Sequence, residues 1–251
     1  MEKETFRKRL LAGETLVGTL ITLPSPEMAE MFSRLGFDWL FVDAEHSAMG
    51  PGHIQAILQA ADSRCPCLVR VPSHEDAWIK KVLDMGPAGI IFPLVSSGAE
   101  AKRLLSLCRY PPRGRRSVGM ARAHGFGTTF VDTMAHADAR TAVVFQVETQ
   151  EGVENAGDIA AAGADALFVG PYDLSASLNK TGQVEDPEVL ASINAVLATA
   201  RKHGIPAGIF GADAHALKAH RDHGFTLLAM GTDCLFASAS ALHNLSVLRT
   251  P

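Results

Sequence analysis

The chain has 251 residues, 47% of them apolar and 20% charged, enough to bury one large core of the size of a single α/β barrel. A formal net charge of -4 and a pI near 6.2 give no basic field for nucleic acid, and no apolar run approaches the length of a membrane span. The four cysteines (Cys65, Cys67, Cys108, Cys234) fit neither CxxC nor zinc-ribbon spacing and read as reduced packing residues, so a cytoplasmic location is expected.

The start, MEKETFRKRLLAGE, is charged and predicts a helix rather than a signal peptide. LVGTLIT at 16 to 22 reads as the first strand, followed by the helical pattern PEMAEMFSRLG, which stops at Gly36. WLFV at 39 to 42 is the second strand and runs into Asp43-Ala44-Glu45-His46. CLVRV at 67 to 71 is the third and carries Arg70 at its end; the helix EDAWIKKVLDMG follows and stops at Gly86. GIIFPLV at 89 to 95 is the fourth, leading through Ser96 and Ser97 into the helix SGAEAKRLLSLC. From about 110 to 138 a stretch rich in Gly, Pro and Arg, with the one basic cluster (Arg113, Arg115, Arg116), reads as a long loop.

AVVFQV at 142 to 147 is the fifth strand, with Gln146 inside it and Glu148 directly after. A helical stretch over 154 to 162 separates it from the sixth strand, ALFVG at 166 to 170. The turn Gly170-Pro171 follows, then Tyr172 and Asp173, with a helix beginning near Leu174. DPEVLASINAVLATARKHG is a helix, PAGIF at 206 to 210 the seventh strand, DAHALKAHRDHG a helix, and TLLAMG at 226 to 231 the eighth strand. Eight strands alternating with helices, and no Gly-rich dinucleotide fingerprint after the first, predict a (β/α)8 TIM barrel, α/β, as one domain over residues 1–251. A doubly wound open sheet is the second fold that such alternation permits.

In a barrel the chemistry gathers where strands end, and there stand Asp43, Glu45, His46, Arg70, Gln146, Glu148 and Asp173. Glu148 and Asp173 supply hard oxygen ligands suited to magnesium, manganese or cobalt, with positions left for water and a chelating 2-oxo acid. The plainer role for each acid is to cap the following helix, which is more natural for Asp173 than for Glu148. Arg70 keeps its proton and can donate to a keto or enolate oxygen. His46, three residues after Asp43, is placed for a dyad in which that carboxylate orients the ring for acid/base work. Most of the other nine histidines fall in helices or loops; His124, in the long loop, has nothing local to orient it. Amides after Gly170-Pro171 could cup a substrate carboxylate at a helix start. None of the eight lysines ends a predicted strand, which favours a metal over an imine, and no Ser or Cys stands in a nucleophile elbow.

These stretches, GFDWLFVDAEHS, LVRVP, GIIFPLV, YPPRGRRSVG, VFQVET and VGPYDLSASL, resemble the HpcH/HpaI aldolase family of metal-dependent pyruvate aldolases. The resemblance implies a divalent cation (Mg2+, Mn2+ or Co2+) on Glu148 and Asp173, Arg70 on the keto oxygen, and Asp43 with His46 as an acid/base pair. It also implies Gln146 beside bound pyruvate and Glu45 supporting the histidine or the metal's waters. A homo-oligomer is expected, a hexamer built as a trimer of dimers, with Asp84 reaching a neighbouring subunit's site to bind substrate. The implied reaction is reversible cleavage of a 4-hydroxy-2-oxo acid to pyruvate and an aldehyde through a metal-stabilised enolate. The expected partners are therefore small 2-oxo acids and aldehydes, not nucleic acid or membrane. Tyr172 departs from the family turn, where a small residue is usual. A lyase of the citrate-lyase or malyl-coenzyme A type and a non-catalytic keto-acid-binding barrel are the alternatives.

Overall fold

Strands buried on both faces read as continuous apolar runs, and here every such run becomes a strand. The computed structural model describes residues 4–61 and 64–250. The strands are β1 (Leu16–Ile21), β2 (Trp39–Asp43), β3 (Cys67–Arg70), β4 (Gly89–Phe92), β5 (Ala142–Val147), β6 (Ala166–Val169), β7 (Ala207–Gly211) and β8 (Leu227–Thr232). All pair in parallel with their sequence neighbours, and β8 returns to β1, so the sheet closes. The barrel, not the open sheet, is the fold.

The helices are α1 (Phe6–Leu11), α2 (Pro26–Phe32), α3 (Pro51–Ala61), α4 (Asp76–Asp84), α5 (Gly98–Cys108) and α6 (Phe130–Arg140). They continue with α7 (Gln150–Glu154), α8 (Ala156–Ala161), α9 (Pro171–Ser177), α10 (Pro187–Lys202), α11 (Ala214–His223) and α12 (Asp233–Arg249). Local chemistry sets their ends. Ser25 caps α2 ahead of Pro26, Ser97 caps α5 through the Glu100 amide, and Gly224, in the left-handed region, closes α11.

Three expectations change. The stretch expected as a helix over 154 to 162 is two short helices, α7 and α8, broken at Asn155. The stretch from 110 to 138 is not all loop: it folds into a short 3-10 segment (Arg122–Gly127) and α6. The helix after β6 starts at Pro171, three residues before Leu174, because proline suits the first helical position.

Two apolar layers result. Outside the barrel, strand residues such as Val42, Val69, Ile90 and Val169 pack on the helices. Inside, Leu16, Trp39, Phe41, Leu68, Ile91, Val144 and Phe168 fill the lumen, while Phe6 and Leu10 of α1 plug its lower end. Burying each such large side chain is worth about 1.5–3 kcal/mol. Gly18 has no side chain because a Cβ there would run into the Trp39 indole. Asp165 fastens the lower rim, taking Arg7 at 2.7 Å and the Val143 amide at 2.8 Å.

Since inward positions recur every second residue, β2 presents Trp39, Phe41 and Asp43 to the lumen, and β5 presents Val144, Gln146 and then Glu148. The apolar filling thus gives way to a polar top layer at the strands' carboxyl ends. Helix α12 holds the barrel by its first turn, where buried Asp233 accepts from the amides of Thr22 and Leu23. Beyond Asp233 the helix is exposed, including Leu242, Leu245, Val247 and Leu248.

Candidate active site

Arg70 lies at the centre of the polar layer. Its Nε donates to Asp43 Oδ1 at 2.9 Å and its Nη2 to Asp43 Oδ2 at 2.8 Å, a bidentate pair with both side chains buried. Nη1 reaches Gln146 Oε1 at 3.4 Å and stands 3.2 Å from Glu45 Oε2. The Phe41 ring lies beneath the guanidinium, 5.2 Å from Cζ to centroid. Burial works against this charge, but the hydrogen bonds and attraction of Asp43, with Glu45 and Glu148, outweigh it, so Arg70 holds its proton more tightly than usual.

The chain of contacts continues. Gln146 Nε2 donates to Glu148 Oε2, and the Leu94 amide donates to Glu148 Oε1 at 2.8 Å. Leu94 pays for this contact with a left-handed backbone (φ 52°), which for a residue with a side chain costs about 1–3 kcal/mol. Glu148 is 2% exposed, and burial raises its carboxyl to about 7. The Leu94 amide and Arg70 oppose that rise, while Asp173 and Glu45 add to it. Gly170 passes so close that a Cβ would strike Glu148 Oε2 and come within 2.8 Å of Gln146 Nε2.

Asp173 does not end a strand. It sits exposed in the first turn of α9, at the same mouth as Glu148, and its charge pushes both Glu148 and Glu45 upward. Pro171 has no amide hydrogen, so the first-turn amides of α9 that can meet a ligand begin at Tyr172. A cavity of about 130 Å³ opens there, lined by His46, Arg70, Gln146, Gly170, Pro171 and Asp173 on its polar side. Leu20, Phe41, Phe168, Phe210 and Tyr172 form the apolar side, with the Tyr172 and Phe210 ring centroids 6.1 Å apart.

One site expectation is corrected. Asp43 does not hold the His46 ring: its carboxylate is taken by Arg70 and by the amides of Glu45 (3.0 Å) and His46 (3.3 Å). The exposed ring has Glu45 as its acidic neighbour instead, Nε2 to Oε2 at 3.7 Å. Asp84, expected to reach a neighbouring subunit's site, lies away from this chain's own mouth. It ends α4 just before β4 begins, at the barrel's other end, where it meets Arg116 Nη2 at 3.3 Å. Nearby, His124 is far from unoriented: it is fully buried and bonded through Nε2 to the Tyr110 hydroxyl at 2.8 Å. The described lysines lie on helices or loops, as expected.

Among the described residues no group of three or more His, Cys, Asp or Glu forms a cage for a metal ion. Glu148 and Asp173 could offer two hard oxygen donors to a cation that keeps ligand positions for water and substrate. Glu45 Oε2 is buried with no hydrogen-bond partner beside its ion pair with Arg70, and three acids crowd one another there. A divalent cation among them would relieve both.

The model of the HpcH/HpaI aldolase/citrate lyase family matches residues 17–239. The chain is 39% identical over 239 residues to a hydroxypyruvate/pyruvate aldolase of Roseobacter denitrificans, covering 91% of each chain. It is 35% identical over 232 residues to a 4-hydroxy-2-oxovalerate aldolase of Novosphingobium aromaticivorans, covering 91% of this chain and 88% of the relative. A crystal structure of an HpcH/HpaI aldolase/citrate lyase family protein from Burkholderia cenocepacia superposes with a TM-score of 0.94 at 33% identity, over 97% of this chain and 98% of the other. By fold and by sequence, the chain belongs to the HpcH/HpaI aldolase/citrate lyase family.

Proposed function

We propose that the chain is a divalent-metal-dependent aldolase that reversibly cleaves a 4-hydroxy-2-oxo acid to pyruvate and an aldehyde. The observation that carries this reading is the unbroken contact chain Asp43–Arg70–Gln146–Glu148 beside Asp173 and His46 at one mouth. The relatives named as aldolases support it.

Glu148 and Asp173 would hold the cation, which when bound supplies Lewis-acid stabilisation of negative charge on the 2-oxo group. Magnesium, manganese and cobalt all suit two carboxylates. Arg70, fixed by Asp43, donates to the 2-oxo oxygen and stabilises the charge that builds there as the bond breaks. Gln146 holds Glu148 and faces the pyruvate unit. The turn at Gly170 and Pro171 brings the first-turn amides of α9 toward the substrate carboxylate. His46, with Glu45 behind it, takes the proton from the 4-hydroxyl. The C3–C4 bond then breaks, its electrons pass into the enolate, and the aldehyde leaves. A proton delivered to C3 gives pyruvate, and the reverse sequence gives aldol addition.

Assembly as a homo-oligomer, a hexamer by family resemblance, belongs to the same reading and is supported by the apolar side chains that α12 exposes. In such an assembly Asp84 would serve a neighbouring subunit's site. No described helix is long and apolar enough to cross a membrane, and a cytoplasmic location accords with four free cysteines. A panel of 4-hydroxy-2-oxo acids, followed by coupled detection of pyruvate with Mn2+ present, tests the activity. Release of pyruvate from at least one member is expected. Tight binding of pyruvate without turnover of any member would make the protein a binder, and cleavage confined to acyl-coenzyme A substrates would make it a lyase of another type.

A further inference from the structure

One peptide unit in the loop after β4 is gripped at both ends. The carbonyl of Pro93 stands 2.7 Å from His74 Nε2, and the Leu94 nitrogen of the same peptide donates to Glu148 Oε1 at 2.8 Å. The other ring nitrogen, His74 Nδ1, lies 2.8 Å from Glu100 Oε1. Glu100 is itself fixed: it lies in the first turn of α5, and its Oε2 accepts from the Ser96 amide at 3.3 Å.

Both ring nitrogens of His74 therefore face acceptors. A carbonyl has no proton to give, and neither has an ionised carboxylate, while a neutral imidazole can donate through one nitrogen only. The two short contacts fit a ring that donates through both nitrogens, to the Pro93 carbonyl and to the Glu100 carboxylate. The other charged groups near this ring are turned elsewhere. Arg103 Nη2 donates to the backbone carbonyl of His74 at 3.0 Å, and its Nη1 meets Asp76 at 3.2 Å. The Phe92 ring presents itself edge-on at 6.0 Å.

The geometry points to His74 as a positioning residue for Glu148: an imidazolium anchored by Glu100 clamps the Pro93 carbonyl and so fixes the Leu94 amide against the carboxylate. A cationic donor on the carbonyl polarises the peptide and strengthens its N–H as a donor. The clamp also holds Leu94 in its left-handed conformation and keeps Glu148 Oε2 beside Gln146 and Gly170. The inference rests on Glu148 being a metal ligand, and it assigns a role to a side chain that touches neither metal nor substrate.

Two measurements on the full-length protein test it. Long-range 1H–15N correlation spectra of the metal-free protein near neutral pH will show both His74 ring nitrogens protonated. Titration with Mn2+ will show affinity about tenfold or more weaker in His74→Ala, with most of the loss recovered in His74→Gln, whose amide keeps an N–H for Pro93. Circular dichroism checks the fold of each variant. If His74→Ala does not fold, Glu100→Gln replaces it, with a neutral ring and weaker Mn2+ binding expected. A neutral His74 ring in the native protein, or native Mn2+ affinity in a folded His74→Ala, overturns the proposal. A native protein that binds no Mn2+ at all refutes the metal reading instead, and the ring spectrum then decides the clamp alone.

Discussion

Arg70 and Asp43 form a bidentate ion pair at the top of the barrel lumen, with neither side chain more than 7% exposed. Their strands are neighbours, and the two residues occupy the same register position, Asp43 opposite Arg70. Removing one partner of such a pair leaves an uncompensated buried charge, at a cost of about 3–5 kcal/mol. Asp43→Ala is therefore expected to lower the urea midpoint substantially and to cut kcat by about 10²–10³-fold as Arg70 loses its orientation. A double variant, Asp43→Ala with Arg70→Met, should regain most of the stability and none of the activity. Denaturation and turnover measured side by side check both halves.

Gly170 is a second sensitive point, for a steric reason. A methyl group there would meet Glu148 Oε2 and Gln146 Nε2, both held by hydrogen bonds. Gly170→Ala should fold, because the residue lies past the end of β6, yet should bind Mn2+ at least tenfold more weakly. Calorimetric titration beside a thermal melt separates the two effects.

Tyr172 stands at the rim of the cavity, packed beside Phe210 and next to Asp173. Truncation by Tyr172→Ala removes an aromatic wall without touching the polar layer. In the aldol direction the KM for pyruvate should stay within about twofold. The ratio of kcat/KM for bulky over small aldehydes should rise by about 10-fold, the range that one pocket contact supplies. An unchanged ratio would mean that the phenol points away from the aldehyde.

Glu148 gives stability a pH dependence whose sign can be worked out. Burial raises its carboxyl from 4.5 to about 7, so the folded chain holds this proton more tightly than the unfolded chain. The contribution is fully present below about pH 4.5 and is lost as pH rises from there through about 7, the total loss being roughly 3 kcal/mol. The metal-free protein should lose stability over this window relative to Glu148→Gln, in which the slope is absent. Cation binding needs the carboxylate, so Mn2+ affinity should rise with pH over the same range, with release of about one proton. Urea midpoints at several pH values, with and without Mn2+, measure this.

Much of this site is legible in the sequence because parallel strands buried on both faces are continuous apolar runs, and a polar residue at the end of one stands out. Asp43, Arg70, Gln146 and Glu148 are found that way, and the alternation Trp39-Phe41-Asp43 even tells which face they share. Pairing is harder to read. Asp43 and His46 are close in sequence, but the closed sheet sets Asp43 against Arg70, 27 residues away, and that bond leaves Glu45 as the neighbour of His46. Asp173 looks like a strand terminus only until Pro171 starts the helix early. His74 gives no local signal, since its two partners come from the β4 loop and from α5.

In the proposed reaction Glu148 and Asp173 together hold a cation that pyruvate formation requires. The most direct test is chelation followed by Mn2+ add-back, with pyruvate release measured for the native protein, Glu148→Ala and Asp173→Ala. Activity should vanish with chelator and return with Mn2+ in the native protein alone. Chelator-resistant turnover, or full activity in a folded Glu148→Ala, would contradict it.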